Sequence, residues 1–334
     1  MAKQQDKTPL VSFILPHHQR DDMLIETVHS IALQECRADI QVIIVSKTDR
    51  AGCDKLQREL DTCGLPRTPV ILNIGHEKTI SHARNIGAAA ANGKYLAFVD
   101  SDIRLSTNWI ETMLEKLADP ATVLASAVQL PDREHTNNHV IRSALSMANV
   151  GSVEALPGAN LFMERALFNR TDKFPEHLQT CEDSVFTNSL LSSGKLVLTD
   201  DSGFVHLGED ATLQSMFTKE IWRGKSNLAS MQDRKIALSE IPSLVFPPVV
   251  LMCFLLALIM LVAGAMKLAL VFAVLMAIPP ALYASRLKLR SSIKLGSPHI
   301  FVFFLVYFLA RGVGVIKLLI EPEKNLPLDS LTHD

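Results

Sequence analysis

Short apolar runs alternate with amphipathic stretches through the first hundred residues. Leu10–Leu15, Ile40–Val45, Val70–Leu72 and Tyr95–Val99 are mostly β-branched or aromatic, and polar, Pro or Gly residues bound each of them. That is the pattern of strands buried on both faces. Between them, 21–33, 53–62 and 79–91 carry apolar residues on one face at helical spacing. The order β-α-β-α-β-α-β predicts an α/β fold with a mostly parallel, doubly wound sheet. Ligands of such sheets lie beyond the carboxyl ends of the strands, where Pro16, His17, Ser46 and Asp100 fall.

Further along, the pattern predicts a helix over 109–118 and a strand over 122–128. The stretch 131–156 has no clear period and reads as a variable excursion facing an acceptor. A strand at 160–163, a helix over 182–193, strands at 196–198 and 204–207 and a long helix from about Ala211 follow, and the soluble domain is expected to end near Glu240.

Beyond it the pattern changes. Leu244–Met266 is apolar and almost uncharged over enough residues to cross about 30 Å of hydrocarbon. Leu268–Ala284, interrupted by Pro279-Pro280, predicts a second span. Ile300–Ile320 is a third apolar run that carries Arg311 and Lys317, so it spans, re-enters or lies in the interface. The linker before it holds Arg286, Lys288, Arg290 and Lys294 and no acid. The positive-inside rule puts that linker, and the amino-terminal domain two crossings earlier, in the cytosol at an inner membrane.

Composition narrows the function. The 334 residues carry a net charge of −2, which excludes a chain-wide basic footprint for nucleic acid. Cys36, Cys53, Cys63, Cys181 and Cys253 are odd in number and lack zinc-ligand spacing, as expected of reduced thiols. Met1–Pro9 has no apolar core, so no cleavable signal peptide is expected there.

Asp100-Ser101-Asp102 ends the strand Tyr95–Val99, which places two carboxylates where a cleft is expected. Carboxylates this close repel unless a cation neutralises them, and hard oxygen ligands select Mn2+ or Mg2+. Asp102 or Ser106 would equally serve to cap the helix at Trp109. Around this motif stand SFILPHHQRDDML, ARNIGAAAANGKYLAFVDSD, PGANLFMERALF and CEDSVFTNSLLSSGKL, in that order over most of Val11–Leu207. Together they resemble glycosyltransferase family 2, the inverting group with a GT-A fold.

The resemblance implies a nucleotide-sugar donor, a divalent metal and an acceptor hydroxyl. It makes Asp102 the metal ligand, with Asp100 touching the ribose or the metal through water and His206 either completing the site or standing as a structural histidine. Arg84 becomes the basic residue near the diphosphate, or else a structural ion pair or a solvated helix residue. Asp183 becomes the general base and Glu182 the residue that orients it, although acids at a helix start are also favoured by the helix dipole. Arg223, in KEIWRGKSN, falls where membrane-bound relatives carry a basic element near donor and acceptor; a cluster like this also attracts lipid headgroups.

One departure stands out. Relatives usually carry an Asp-rich turn after the second strand for the base, and this chain reads Val45-Ser46-Lys47-Thr48. Uridine is the commonest donor base of the family, yet this departure leaves the donor unassigned. The expected acceptor is a lipid-linked saccharide or another saccharide, with Arg311 at membrane depth pairing with a lipid phosphate or snorkelling. An inactive scaffold of the same fold is the alternative. A nucleotidyltransferase is disfavoured, since SFILPHHQRDD has no glycine for a phosphate loop.

Overall fold

A computed structural model describes residues 10–36, 38–132, 135–178, 180–229 and 241–320. In chain order the elements are β1 (Val11–His17), α1 (Asp21–Ala32), β2 (Ile40–Ser46), α2 (Arg50–Leu60), β3 (Val70–Asn73), α3 (Ile80–Ala90), β4 (Tyr95–Val99), β5 (Ile103–Leu105), α4 (Trp109–Leu117), β6 (Thr122–Leu130) and α5 (Asn137–Met147). There follow β7 (Gly151–Val153), β8 (Asn160–Glu164), α6 (Arg165–Phe168), α7 (Glu182–Ser189), β9 (Lys195–His206), α8 (Leu213–Ala229), α9 (Ile241–Val262), α10 (Met266–Arg290) and α11 (Ser297–Ile320). The chain divides into two compact units, 1–132 with 149–208, and 133–148 with 209–334. The boundary expected near Glu240 lies outside the described residues.

In the first unit a nine-stranded sheet runs β3-β2-β1-β4-β8-β6-β9-β5, with β7 paired to β9. β1 pairs in parallel with β2 and β4, β2 with β3, and β6 with β9. β8 is antiparallel to β4, and β5 and β7 are antiparallel to β9. Alternate residues of β1 serve opposite faces: Val11, Phe13 and Leu15 join a core with Leu24, Val28, Ile31 and Trp109, while Ile14 joins one with Ala83, Ala88, Phe168, Phe174 and Phe186. Full burial on both faces is why these strands read as continuous apolar runs. Gly87 lets α3 lie close on the sheet, since a Cβ there would stand 2.4 Å from Ile14 Cγ2.

Several elements escaped the sequence pattern, among them α5, α6 and β7 as well as β5. β5 is too short for a period to register. The runs at 196–198 and 204–207 are one strand, β9, whose register against β6 jumps from Ala127↔Thr199 to Val128↔Gly203. The residues between form a bulge that bends the strand, so its first half meets β7 and its second half β5.

The second unit gathers α5, α8 and the three long helices. Ile141 and Ala144 of α5, Met216 of α8 and Val250, Ala284, Phe303 and Phe308 form one buried cluster, which is why 133–148 groups here and not with the sheet. Three helices, Ile241–Val262, Met266–Arg290 and Ser297–Leu318, are long and apolar enough to cross a membrane. The second extends past its expected end at Ala284, so Arg286, Lys288 and Arg290 belong to its carboxyl-terminal turns, where their charge suits the helix dipole. Gly312 brings α11 onto α9, with a Cβ position 2.6 Å from the Pro247 carbonyl oxygen.

Glu220, wholly buried in α8, ties this unit together. Its Oε1 accepts from Arg142 Nη2 of α5 at 2.7 Å and Arg223 Nη1 at 2.7 Å, and its Oε2 from Arg311 Nε at 2.8 Å. Burial alone would raise its pKa; the guanidiniums, Arg311 foremost, outweigh that and hold it well below the usual carboxylate range. The Arg311 guanidinium also lies over the Tyr307 ring, 4.4 Å from its centroid. Arg311, expected to meet a lipid phosphate or to snorkel, has a protein partner in Glu220, which supplies its half-buried guanidinium with a counter-charge.

Candidate active site

The carboxyl ends of β1, β2 and β4 lie side by side in the first unit. His17 and Ser46 are register partners, and His17 Nδ1 and Ser46 Oγ stand 3.0 Å apart. Ser46 Oγ also accepts from the Thr48 N–H at 3.1 Å, and His17 Nε2 faces Asp21 Oδ1 at 3.3 Å. Both residues are buried. Their side chains, expected to touch a nucleotide, contact each other at the strand ends, and His17 Nε2 has no hydrogen-bond partner among the described residues. Burial pushes the His17 pKa down despite Asp21, so the ring is neutral near pH 7. Pro16 is half-buried beside them. The turn after β1 runs through Gln19 and Arg20, both left-handed with φ of 60° and 57°, a strained path for residues other than glycine.

Arg84 is the centre of the site. It projects from α3 and is only 1 % exposed, which excludes a solvated helix residue. Its Nη2 donates to Asp100 Oδ1 at 2.9 Å and to the Gly158 carbonyl at 3.2 Å, and its Nη1 to Glu182 Oε1 at 2.8 Å. Burial works against the guanidinium charge, but Asp100, Glu182 and Asp183 outweigh it and raise its pKa. Burial pushes the Asp100 carboxyl up, Arg84 pulls it down, and the neighbouring Asp102 adds to the rise. Glu182 is pushed up to about 7, first by burial and then by Asp183 beside it, against the pull of Arg84.

Glu182 and Asp183 open α7, and Cys181 before them is left-handed with φ of 62°, which turns the chain sharply into the helix. Asp183 Oδ2 accepts from the Gly158 N–H at 2.8 Å and Oδ1 from the Ser184 N–H at 2.6 Å. Two backbone donors thus fix the carboxylate in place. Gly158 serves both partners, through its N–H to Asp183 and its carbonyl to Arg84. It stood within the PGAN run, but nothing in one sequence marked it as a junction.

Asp102 comes next to His206 through β5. Ile103 is the register partner of His206, so the residue before it faces the end of β9, and the Leu207 N–H donates to the Asp102 carbonyl at 2.8 Å. His206 Nε2 lies 3.9 Å from Asp102 Oδ1, and Arg20 Nη1 lies 3.9 Å from Asp102 Oδ2. His206 Nδ1 is buried without a hydrogen-bond partner among the described residues. Asp102 and His206 therefore fit as two ligands of a divalent cation. Among the described residues no three acidic, histidine or cysteine side chains gather closely enough to hold a metal. Asp100, expected as a third ligand, holds Arg84 with its Oδ1. Arg223 belongs to the second unit, bonded to Glu220.

The glycosyl transferase family 2 model matches residues 12–191. Polypeptide N-acetylgalactosaminyltransferase 10 of Rattus norvegicus is 25 % identical over 221 residues, 65 % of this chain and 33 % of that protein. An uncharacterized glycosyltransferase of Rickettsia bellii is 26 % identical over 201 residues, 59 % of this chain and 28 % of that one. The chain thus spans a third or less of the length of these curated relatives. Among solved structures, the mannosyltransferase PcManGT of Pyrobaculum calidifontis, in complex with GDP-Man and Mn2+, superposes with a TM-score of 0.60 at 18 % identity, covering 95 % of this chain and 89 % of that chain. That likeness is one of fold, and it identifies the sheet and its flanking helices as a GT-A fold. The family match covers more than half of the chain, from β1 past the Asp183 helix, and with it this chain belongs to glycosyltransferase family 2.

Proposed function

We propose that this glycosyltransferase inverts the anomeric carbon of a nucleotide sugar, depends on Mn2+ or Mg2+, and adds one sugar to a lipid-linked or other saccharide acceptor. The observation that carries this reading is Arg84, whose guanidinium bridges Asp100 on the Asp-Ser-Asp turn and Glu182 beside Asp183. Asp102 and His206 would hold the metal, which when bound would neutralise charge on the departing nucleoside diphosphate. Asp183 takes the proton from the acceptor hydroxyl as that oxygen forms its bond to the anomeric carbon. The bond to the diphosphate breaks on the opposite face, so the configuration inverts. The backbone donors on Asp183 keep it aimed, and Arg84 pairs with Glu182 beside it.

The basic residues at the end of α10, with Lys294 after them, favour a catalytic unit on the cytosolic face. The altered Ser46-Lys47 turn leaves the donor base to experiment. Sugar transfer and donor hydrolysis are to be assayed with UDP-, GDP-, CDP- and ADP-sugars, with Mn2+ or with chelator, and the product anomer read by NMR. Asp102→Ala and Asp183→Asn are expected to abolish transfer, with inversion in the wild type. Retention of configuration would refute the role of Asp183, and no metal-dependent turnover with any donor would favour the scaffold.

A further inference from the structure

Arg84 and Arg20 both meet carboxylates of the Asp-Ser-Asp turn, but on different terms. The Arg84 side chain is 2 % exposed, and its two terminal nitrogens are bonded to Glu182 and Asp100 at 2.8 and 2.9 Å. A guanidinium locked in this way is not available to a diphosphate entering the cleft, the place expected for it. The Arg20 side chain is 51 % exposed, and its Nη1 stands 3.9 Å from Asp102 Oδ2, beyond hydrogen-bond distance. Its contact with Met23 Sδ, also 3.9 Å, is equally loose.

The residue type at position 20 runs against its surroundings. Arg20 is the N-cap of α1, yet its side chain makes no capping bond, and its backbone is left-handed with φ of 57° and ψ of 55°. Asn or Gly would suit both the cap and the backbone better. An arginine kept against two local preferences points to a task for the side chain. Gly208 makes room for that side chain, since a Cβ there would stand 2.6 Å from Arg20 Nη1 and 2.6 Å from Asp102 Oδ2. The guanidinium thus lies over the carboxylate that, with His206, fits a divalent cation. A cation bound to Asp102 would meet Arg20 at about 4 Å, where two positive charges repel, so the guanidinium has to leave as the cation enters. A diphosphate offers it paired oxygens that match the guanidinium fork.

We propose that Arg20 gates the metal site: it neutralises Asp102 in the metal-free protein and passes to a diphosphate when the cation arrives, so that cation and diphosphate enter together. The inference rests on reading Asp102 as a metal ligand.

The test uses the full chain in a non-ionic maltoside detergent, stripped of metal and titrated with Mn2+, whose free concentration is read by electron paramagnetic resonance. Arg20→Gln is expected to bind Mn2+ about threefold more tightly than the wild type, within the range of an exposed ion pair. Lys55→Gln, which removes a charge from α2, leaves the affinity unchanged. Arg20→Asn, suited to the left-handed turn, repeats the result and stands in should the first variant not fold. With Asp102→Ala already present, Arg20→Gln has little further effect, because both changes break one pair. Phenylglyoxal, which modifies accessible arginines, reads the movement by peptide mass. Mn2+ alone raises labelling of Arg20, and Mn2+ with inorganic pyrophosphate lowers it severalfold. Equal Mn2+ affinity in the wild type and Arg20→Gln, with Asp102→Ala weakened, overturns the gate and leaves the metal site standing. Unchanged affinity in Asp102→Ala overturns the metal site and the gate with it. Labelling of Arg20 that pyrophosphate does not reduce overturns the transfer to the diphosphate.

Discussion

Gly158→Ala tests the junction between Arg84 and Asp183 with a single methyl group. The added Cβ would stand 2.7 Å from Arg84 Nη2, 3.1 Å from Nη1 and 3.2 Å from Cζ. Carbon contacts settle at about 3.5–4.0 Å, so the guanidinium must retreat by about 1 Å. A side-chain terminus usually yields cheaply, but this one is buried and tied to Asp100, Glu182 and the Gly158 carbonyl. Losing one charge-assisted bond costs about 1.5–3 kcal/mol. At roughly 2–4 °C per kcal/mol for a unit of this size, Tm should fall by roughly 3–12 °C. A 1 Å displacement near reacting atoms lowers turnover by about 10²-fold. Thermal denaturation and single-turnover transfer would measure both effects. The double variant Gly158→Ala/Arg84→Lys should cost less than the two single changes summed, since both act on one network. Tm within 1 °C of wild type and turnover within twofold would refute the junction.

Three other outcomes follow from the same geometry. Gly208→Ala puts a Cβ 2.6 Å from Asp102 Oδ2 and should raise the Mn2+ concentration needed for half-maximal activity while leaving Tm nearly unchanged; an unaltered metal titration would count against Asp102 as ligand. The His17 pKa is lowered on folding, so stability is complete above the unfolded value of about 6.5 and is lost as pH falls toward the folded value. Tm of the wild type should therefore drop more between pH 7.5 and 5.5 than Tm of His17→Gln, and parallel profiles would contradict this. Glu220→Ala removes the buried partner of the half-buried Arg142 and Arg311 and should cost about 3–5 kcal/mol, read as lost thermal stability, whereas a near-neutral effect would mean that water solvates the cluster.

The parallel core was legible because strands buried on both faces leave unbroken apolar runs, and β1, β2, β3 and β4 lie within two residues of their expected ends. β5 was not, since three residues carry no period, yet that strand brings Asp102 to His206. α5 was missed because Asn137, Asn138, His139 and Arg142 dilute its apolar face, which is defined by tertiary partners in the second unit. Among the site residues, motif spacing singled out Arg84, Asp100, Glu182 and Asp183, and all four meet through Arg84 and Gly158. It also suggested ligand-facing roles for His17 and Ser46, whose burial depends on strand register, a long-range property. The pairing of Arg311 with Glu220 joins positions 91 residues apart, beyond the reach of local patterns.

The grouping of 133–148 with 209–334 has a practical side. The chain passes between the two units after Asp132, after Ala148 and after Gly208, so no single cut separates them. A soluble fragment ending at Glu240 would keep α5 and α8 but discard α9, α10 and α11. It would uncover Ile141 and Met216, strip Glu220 of Arg311, and so be prone to aggregation and proteolysis. Excising 133–148 and ending the chain at Gly208, with a short linker from Asp132 to Asn149, follows the boundaries of the fold and is the better route to a soluble fragment of the first unit.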